Sequence, residues 1–320
     1  MISLLYYFLA FRGILFLRWV NLGKEHKLKH VYDPTTQREI TSRTLDKRYP
    51  ISYPYPQKVP IQLILKGNSV RIRVFVRYSS KMFRYYPGTN ITYADVAEAG
   101  IRRNWSGKYQ MSWLEDDGYE MSRAHASYRV LTQDNNPSDE QMQPDPSSAR
   151  VTLEFIRYQT PQHVNEYPNQ RFVKVKLAYS EKKVGQVTSP FWRWGWGFLK
   201  SFQLEALTLN WSRTHPGRVT VRQSNDRHTF QQECAHEFGH LLGLGDAYAA
   251  DYRFYFEAPG TTDFMMNQNR KVNPQELEMV LTAHQFNRMQ YFPKQFHLST
   301  FFRGMRRNFK VNHPPKPRKK

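Results

Sequence analysis

The sequence predicts an α+β fold, a mixed twisted sheet packed on one central helix that carries a cluster of potential metal ligands. Of two strand-like runs near the start, the second, Val70 to Arg77, alternates apolar residues with a mostly basic row at period two. A later run places Phe230, Cys234, Phe238, Leu241 and Leu242 at intervals of three and four, the spacing of a helix. That helix ends on Gly243, with a carboxylate three residues on. A length of 320 residues allows one large or two ordinary domains. A hydrophobic fraction of 40% with 15% aromatics supports a real core and argues against global disorder. We place the domain at 59–295, behind an apolar segment and extended connector (1–58) and ahead of a basic tail (296–320).

The chain opens on an apolar stretch, Ile2 to Val20, with Arg12 in its middle and Arg18 near its end. It has no basic n-region and no small-x-small cleavage site, so it makes a poor secretory signal. Its length nearly suffices to span a bilayer, but a central Arg costs about 3 kcal/mol on insertion scales. A membrane anchor or interfacial helix, a buried helix and a weak signal all stay open. For an anchor, Lys24, Lys27 and Lys29 would keep the downstream domain cytoplasmic. From Tyr32 to Lys58, Pro, Tyr and Thr predominate, as expected of a connector wrapping the surface.

Ile61 to Lys66 and Val70 to Arg77 flank Gly67-Asn68-Ser69 and read as a hairpin, its second strand carrying a basic outer row. Thr92, with Asp95 three residues later, starts a helix whose stripe is Tyr93, Val96, Ala97, Ile101 and Trp105; Gly107 stops it. Asp134 to Ser148 is polar and reads as a loop. Strands follow at Val151 to Tyr158, Phe172 to Tyr179, Gln203 to Leu209 and Arg218 to Arg222. Between them, Phe191 to Phe198 is the most aromatic stretch of the chain; it fits either a packed corner or an exposed rim that touches substrate or membrane. Asn273, Pro274 and Glu276 start a last helix with Leu277, Val280, Leu281 and His284 on one face. We read His284 as a satisfied core histidine.

The chemistry concentrates in His236-Glu237-Phe238-Gly239-His240-Leu241-Leu242-Gly243-Leu244-Gly245-Asp246. Four residues apart on a helix, His236 and His240 share a face and reach one ion. Glu237 is placed to act on a water instead of the metal. Gly243 permits a sharp turn that returns Asp246 as third ligand. A catalytic zinc keeps three protein ligands and a fourth position for water, and two histidines with a carboxylate meet that count. A bare HExxH arises by accident in roughly one or two chains per hundred of this length; fixing the following Gly and Asp lowers that to about one in ten thousand. Cys234 projects from roughly the opposite side of the helix and reads as a small buried hydrophobe.

HEFGHLLGLGD resembles the zinc-binding motif of metzincin-type metallopeptidases, in the variant where Asp replaces the third His. The resemblance implies a zincin-like fold, a bound Zn2+, a peptide or protein substrate and Glu237 as general base. It also implies a methionine turn beneath the metal, at Thr262-Asp263-Phe264-Met265-Met266-Asn267, with Met266 preferred and Met265 the alternative. Several such enzymes keep a Tyr two residues past that Met; this chain does not, and Tyr248 or Tyr252 is the substitute. The helix ending in Trp105-Ser106 is similar to the first long metzincin helix. In that family a strand bordering the cleft pairs with extended substrate, and the sequence does not fix which strand does so here. HEFGHLLGLGDAY further resembles modules of bacterial polymorphic toxins and contractile-injection effectors. That implies a secreted or delivered effector with an inhibitor or immunity partner.

A single cysteine excludes an intramolecular disulfide and hence a disulfide-stapled scaffold. The formal net charge of +20 favours anionic membrane, cell wall or other polyanion, without any motif for sequence-specific nucleic-acid reading. Arg303 to Lys320 reads as a solvated basic tail. The alternative to an enzyme is a cationic polyanion- or membrane-binding protein whose metal site is structural.

Overall fold

The computed structural model describes residues 44–111, 148–158, 166–178, 185–193, 196–201, 208–248, 257–268 and 271–293. The apolar opening, the loop at 134–147, most of the strand expected at 203–209, Tyr252 and the basic tail lie outside them. Among the described residues, no helix is long and apolar enough to cross a membrane.

The fold is mixed α+β. Its strands are β1 (Ile61–Lys66), β2 (Ser69–Tyr78), β3 (Gly107–Gln110), β4 (Ser148–Arg157), β5 (Val173–Leu177), β6 (Gln186–Thr188) and β7 (Arg218–Val221). They form one sheet in the order β3-β4-β2-β5-β7-β6, with β1 also on β2. The expected hairpin is present, with Lys66 opposite Ser69 and Gly67 at φ +57°. Only glycine takes that conformation without strain. Beyond the reach of β1, the end of β2 pairs with β5. β2, β4, β5 and β7 run parallel, whereas β3 and β6 are antiparallel at the two ends of the order. Neither β3 nor β6 was expected. Runs of four and three residues are too short to show a period, and Gly107 opens β3 besides stopping the helix before it.

Three helices matter to the site. α1 (Tyr93–Trp105) has the Thr92–Asp95 capping box that its sequence announces, and α3 (Pro274–Phe286) has the Asn273–Glu276 box. α2 (Arg227–Leu241) is capped by Asp226, whose side chain accepts from the Thr229 amide. Helices α1 and α2 cover the same face of the sheet: Ile101, Phe238 and Cys234 line a void of about 30 Å³ together with Val76 and Val221. They cross closely at Gly100, where a Cβ would stand 2.6 Å from that of Gln231. The Trp105 indole also donates to the Ala235 carbonyl at 2.9 Å.

Burial of α2 goes beyond the predicted stripe. Ala235, His236, Glu237, Gly239 and His240 are buried together with Phe238 and Leu241. The sheet and α1 take one side, and a helical turn at Met265–Gln268 takes another, with the Met266 sulfur against Gly239. Residues 44–58 supply Leu45 and Tyr49 to the same core.

Two further expectations change in detail. Phe191, Trp192 and Trp196 are 74%, 65% and 59% exposed, which decides against a packed corner for these three residues. His284 is buried, but only half satisfied. Its Nδ1 meets the Tyr53 hydroxyl at 3.2 Å, while Nε2 has no partner. Tyr53 already accepts from the Leu63 amide, so its proton goes to Nδ1 and leaves Nε2–H without an acceptor.

Candidate metal centre

The α2 register places His236 and His240 one turn apart, with ring centroids 5.0 Å from each other. Two carbonyl contacts fix the rings, one distant in the chain and one four residues on. The Nδ1–H of His236 donates to the Met265 carbonyl at 2.9 Å, and that of His240 to the Leu244 carbonyl at 2.8 Å. This orientation turns both Nε2 atoms towards one point, and outer partners of this kind set tautomer and ring angle at metal sites.

The chain after the helix brings Asp246 back beside the two histidines. Gly243 has φ +97° and ends the helix. Space reinforces the choice of glycine: a Cβ there would lie 2.9 Å from both the Ala283 Cβ and the Trp211 ring. The chain beyond it is pinned on both flanks of Asp246. Gly245 donates to the Gln290 carbonyl and Ala247 to the Met266 carbonyl, each at 2.8 Å. Asp246 Oδ1 thereby stands 3.1 Å from His236 Nε2 and 3.2 Å from His240 Nε2. One ligand atom of each residue lies within 4.8 Å of the others, and the group can hold a metal ion.

The donor set fits a cation on chemical grounds. With each Nδ1 proton committed to a carbonyl, each Nε2 directs either a lone pair or a second proton at the carboxylate. Two lone pairs and a carboxylate oxygen converging in a buried site repel unless a cation lies among them. Without an ion, protons do that work. Burial pulls His240 down, but Asp246 more than compensates and raises it to about 9; His236 is raised by the same contest. Burial pushes Asp246 up, and the two imidazoles hold it well below the usual carboxylate range.

Glu237 faces this group without joining it. Its carboxylate is buried, Oε2 has no partner, and burial raises its pKa. Gly185, just before β6, lies against it: a Cβ there would approach Oε1 to 2.9 Å. Tyr248 packs beside His236 at 5.8 Å between centroids and stays 38% exposed. Met265 and Met266 are both fully buried under α2, and a Cβ on Gly239 would overlap the Met266 sulfur.

Sequence reasoning missed Glu276 as part of the site. It reads as a helix cap, and it does accept from Asn273 at 2.8 Å. The same buried carboxylate also accepts from the amides of Met265 at 3.2 Å and Met266 at 2.8 Å. Burial raises its pKa to about 7 against these three donors. Glu276 thus holds the backbone whose carbonyls bind His236 and Ala247. Gly185 and Gly239 were missed too, since neither sits in a pattern that names a partner.

Comparison with family models, with curated proteins and with solved structures finds no match.

Proposed function

We propose that this chain is a zinc-dependent endopeptidase. One observation carries the reading: two Nε2 atoms and one carboxylate oxygen converge, beside a buried carboxylate whose Oε2 is unpartnered. Three ligands suit a catalytic site, whereas a structural zinc takes four. Among the described residues only this trio forms such a group, which favours hydrolysis over a purely structural ion. Zinc held by His236, His240 and Asp246 supplies Lewis acidity, lowering the pKa of water and polarising a carbonyl.

The protein's own groups do the rest. Glu237 takes a proton from the attacking water on a carboxylate oxygen and returns it to the leaving amine. Burial raises its pKa, the direction that favours accepting a proton. Among the described residues β6 is an outermost strand, and it begins one residue after Gly185, which lies against the Glu237 carboxylate. An extended peptide added to that edge would pass beside the proton carrier, with its backbone ordered by strand pairing. Tyr248 is the better-supported second donor to a developing oxyanion, because its ring already lies against His236. Contact of Met266 with Gly239, and of the Met265 carbonyl with His236, supports a methionine turn that floors the metal.

Purified protein should contain about one zinc per chain and cleave casein, with chelator abolishing activity and zinc restoring it. Glu237→Gln should keep the zinc and lose at least a hundredfold in turnover. Zinc-free protein that is correctly folded, or a fully active Glu237→Gln, would sink the assignment. As a toxin or effector, the wild type should arrest growth of the cell type it targets while Glu237→Gln does not; equal growth in every compartment tested removes that role.

A further inference from the structure

One end of the sheet carries a surface that hydrolysis does not use. β5 and β7 run parallel and β6 antiparallel to them. The starts of β5 and β7 and the finish of β6 therefore meet at the same end. Directly beyond β6, Phe191 and Trp192 project with 74% and 65% exposure, followed by Trp196 at 59% and Leu199 at 60%. Large apolar side chains so clustered mark an interaction surface, whereas single exposed ones do not.

Cations lie at the same end. Arg218 opens β7 opposite Thr188, and exposed Arg171 lies two residues before β5. Arg171 reaches the His215 ring at 3.1 Å and the Thr214 carbonyl at 3.4 Å. Arg193 follows Trp192 and donates to the Asn210 carbonyl at 3.1 Å. These arginines take carbonyl or imidazole partners or none, and no ion pair among the described residues includes them. His215 is depressed by burial and by Arg193 and Arg171, in keeping with crowded positive charge here.

We propose that this end of the sheet docks on an anionic lipid bilayer. Indole and phenyl rings prefer the headgroup level, where one side is apolar and the other wet, and arginines beside them meet lipid phosphates and carboxylates. A single-stranded nucleic acid also likes arginine and aromatics, but it needs open ring faces for its bases. Phe191 and Trp192 instead close on each other edge to face, at 5.4 Å and 81°, presenting a compact apolar body. Trp211 connects this surface to the metal helix: it follows Asn210 and donates to the Leu241 carbonyl at 2.9 Å, one residue past His240. Docking would thus bring the β6 edge to the bilayer surface and select proteins presented there. That consequence rests on the peptidase reading; docking itself does not.

The test sediments the full chain with vesicles of phosphatidylcholine and phosphatidylserine, with phosphatidylcholine alone and single-stranded DNA as other arms. Wild type should favour the anionic vesicles and release with salt. Trp192→Ala/Trp196→Ala should lower partition by roughly tenfold, and Arg171→Gln/Arg218→Gln by roughly thirtyfold. Circular dichroism checks that these surface variants stay folded. Wild-type partition by either double variant overturns the proposal, because binding then comes from another part of the chain. So does DNA binding that both pairs weaken while vesicles are ignored. Glu237→Gln and chelator-treated protein should partition as wild type, so failure of the enzyme reading stays separate from failure of docking.

Discussion

Replacing Glu276 by Gln tests whether the metal ligands are held from behind as well as by their own helix. One carboxylate oxygen accepts from Met265 and Asn273, the other from Met266. An amide keeps one acceptor and turns an NH2 group onto the remaining backbone N–H. The better placement preserves two bonds and loses one; the other preserves one and loses two. At about 1.5–3 kcal/mol for each bond to a charged acceptor, the variant should lose roughly 2–4 kcal/mol of stability. The released backbone is the one that fixes His236 through the Met265 carbonyl and the flank of Asp246 through the Met266 carbonyl. Outer-shell losses of this kind cost about 10–100-fold in metal affinity. Zinc affinity should therefore be measured by chelator competition at pH 8, where the wild-type carboxylate is ionised, and at a temperature where both proteins are folded. A melting point that falls while zinc affinity stays within twofold would refute the linkage and leave Glu276 a structural cap alone.

Two further substitutions probe the packing around the site. Gly239→Ala should destabilise by about 1–3 kcal/mol in urea unfolding, since the new methyl overlaps the Met266 sulfur and crowds Trp105 at 3.2 Å. An exposed helical glycine would instead gain about 1 kcal/mol, so a stabilised variant would disprove this contact. His284 predicts an acid limb. Burial and then Arg213 lower it from 6.5 to about 3, so between these values only the unfolded chain binds the extra proton. Stability should be complete above pH 6.5 and decline by up to about 5 kcal/mol as pH falls towards 3. His284→Leu should flatten that limb; an unchanged pH profile would show that other groups govern acid unfolding.

What could be read from the chain was mostly what local geometry enforces. The two capping boxes, the hairpin at Gly67 and the Gly243 turn each depend on residues within a few positions of one another. Strands β3 and β6, the outermost of the described sheet, left no trace, because three or four residues give no period and their pairing depends on partners far along the chain. The burial of α2 on nearly every side was hidden for a related reason. Glycine and histidine there look polar or neutral in sequence, and distant segments, the Met265–Gln268 turn and Trp105 among them, pack against them.

By itself, the sequence determined that His236, His240 and Asp246 gather, since helical pitch places His236 beside His240 and glycine turns the chain cheaply enough to return Asp246. Tertiary structure decided what lies around them: the Met265 carbonyl on His236, the Glu276 carboxylate behind it, Gly185 against Glu237, and the exposure of Trp192 and Trp196. Pitch and turn propensity act over a few bonds and are written in neighbouring residues. A contact such as His236 with Met265, 29 positions apart, exists only once the sheet and helices have packed and brought the two segments together.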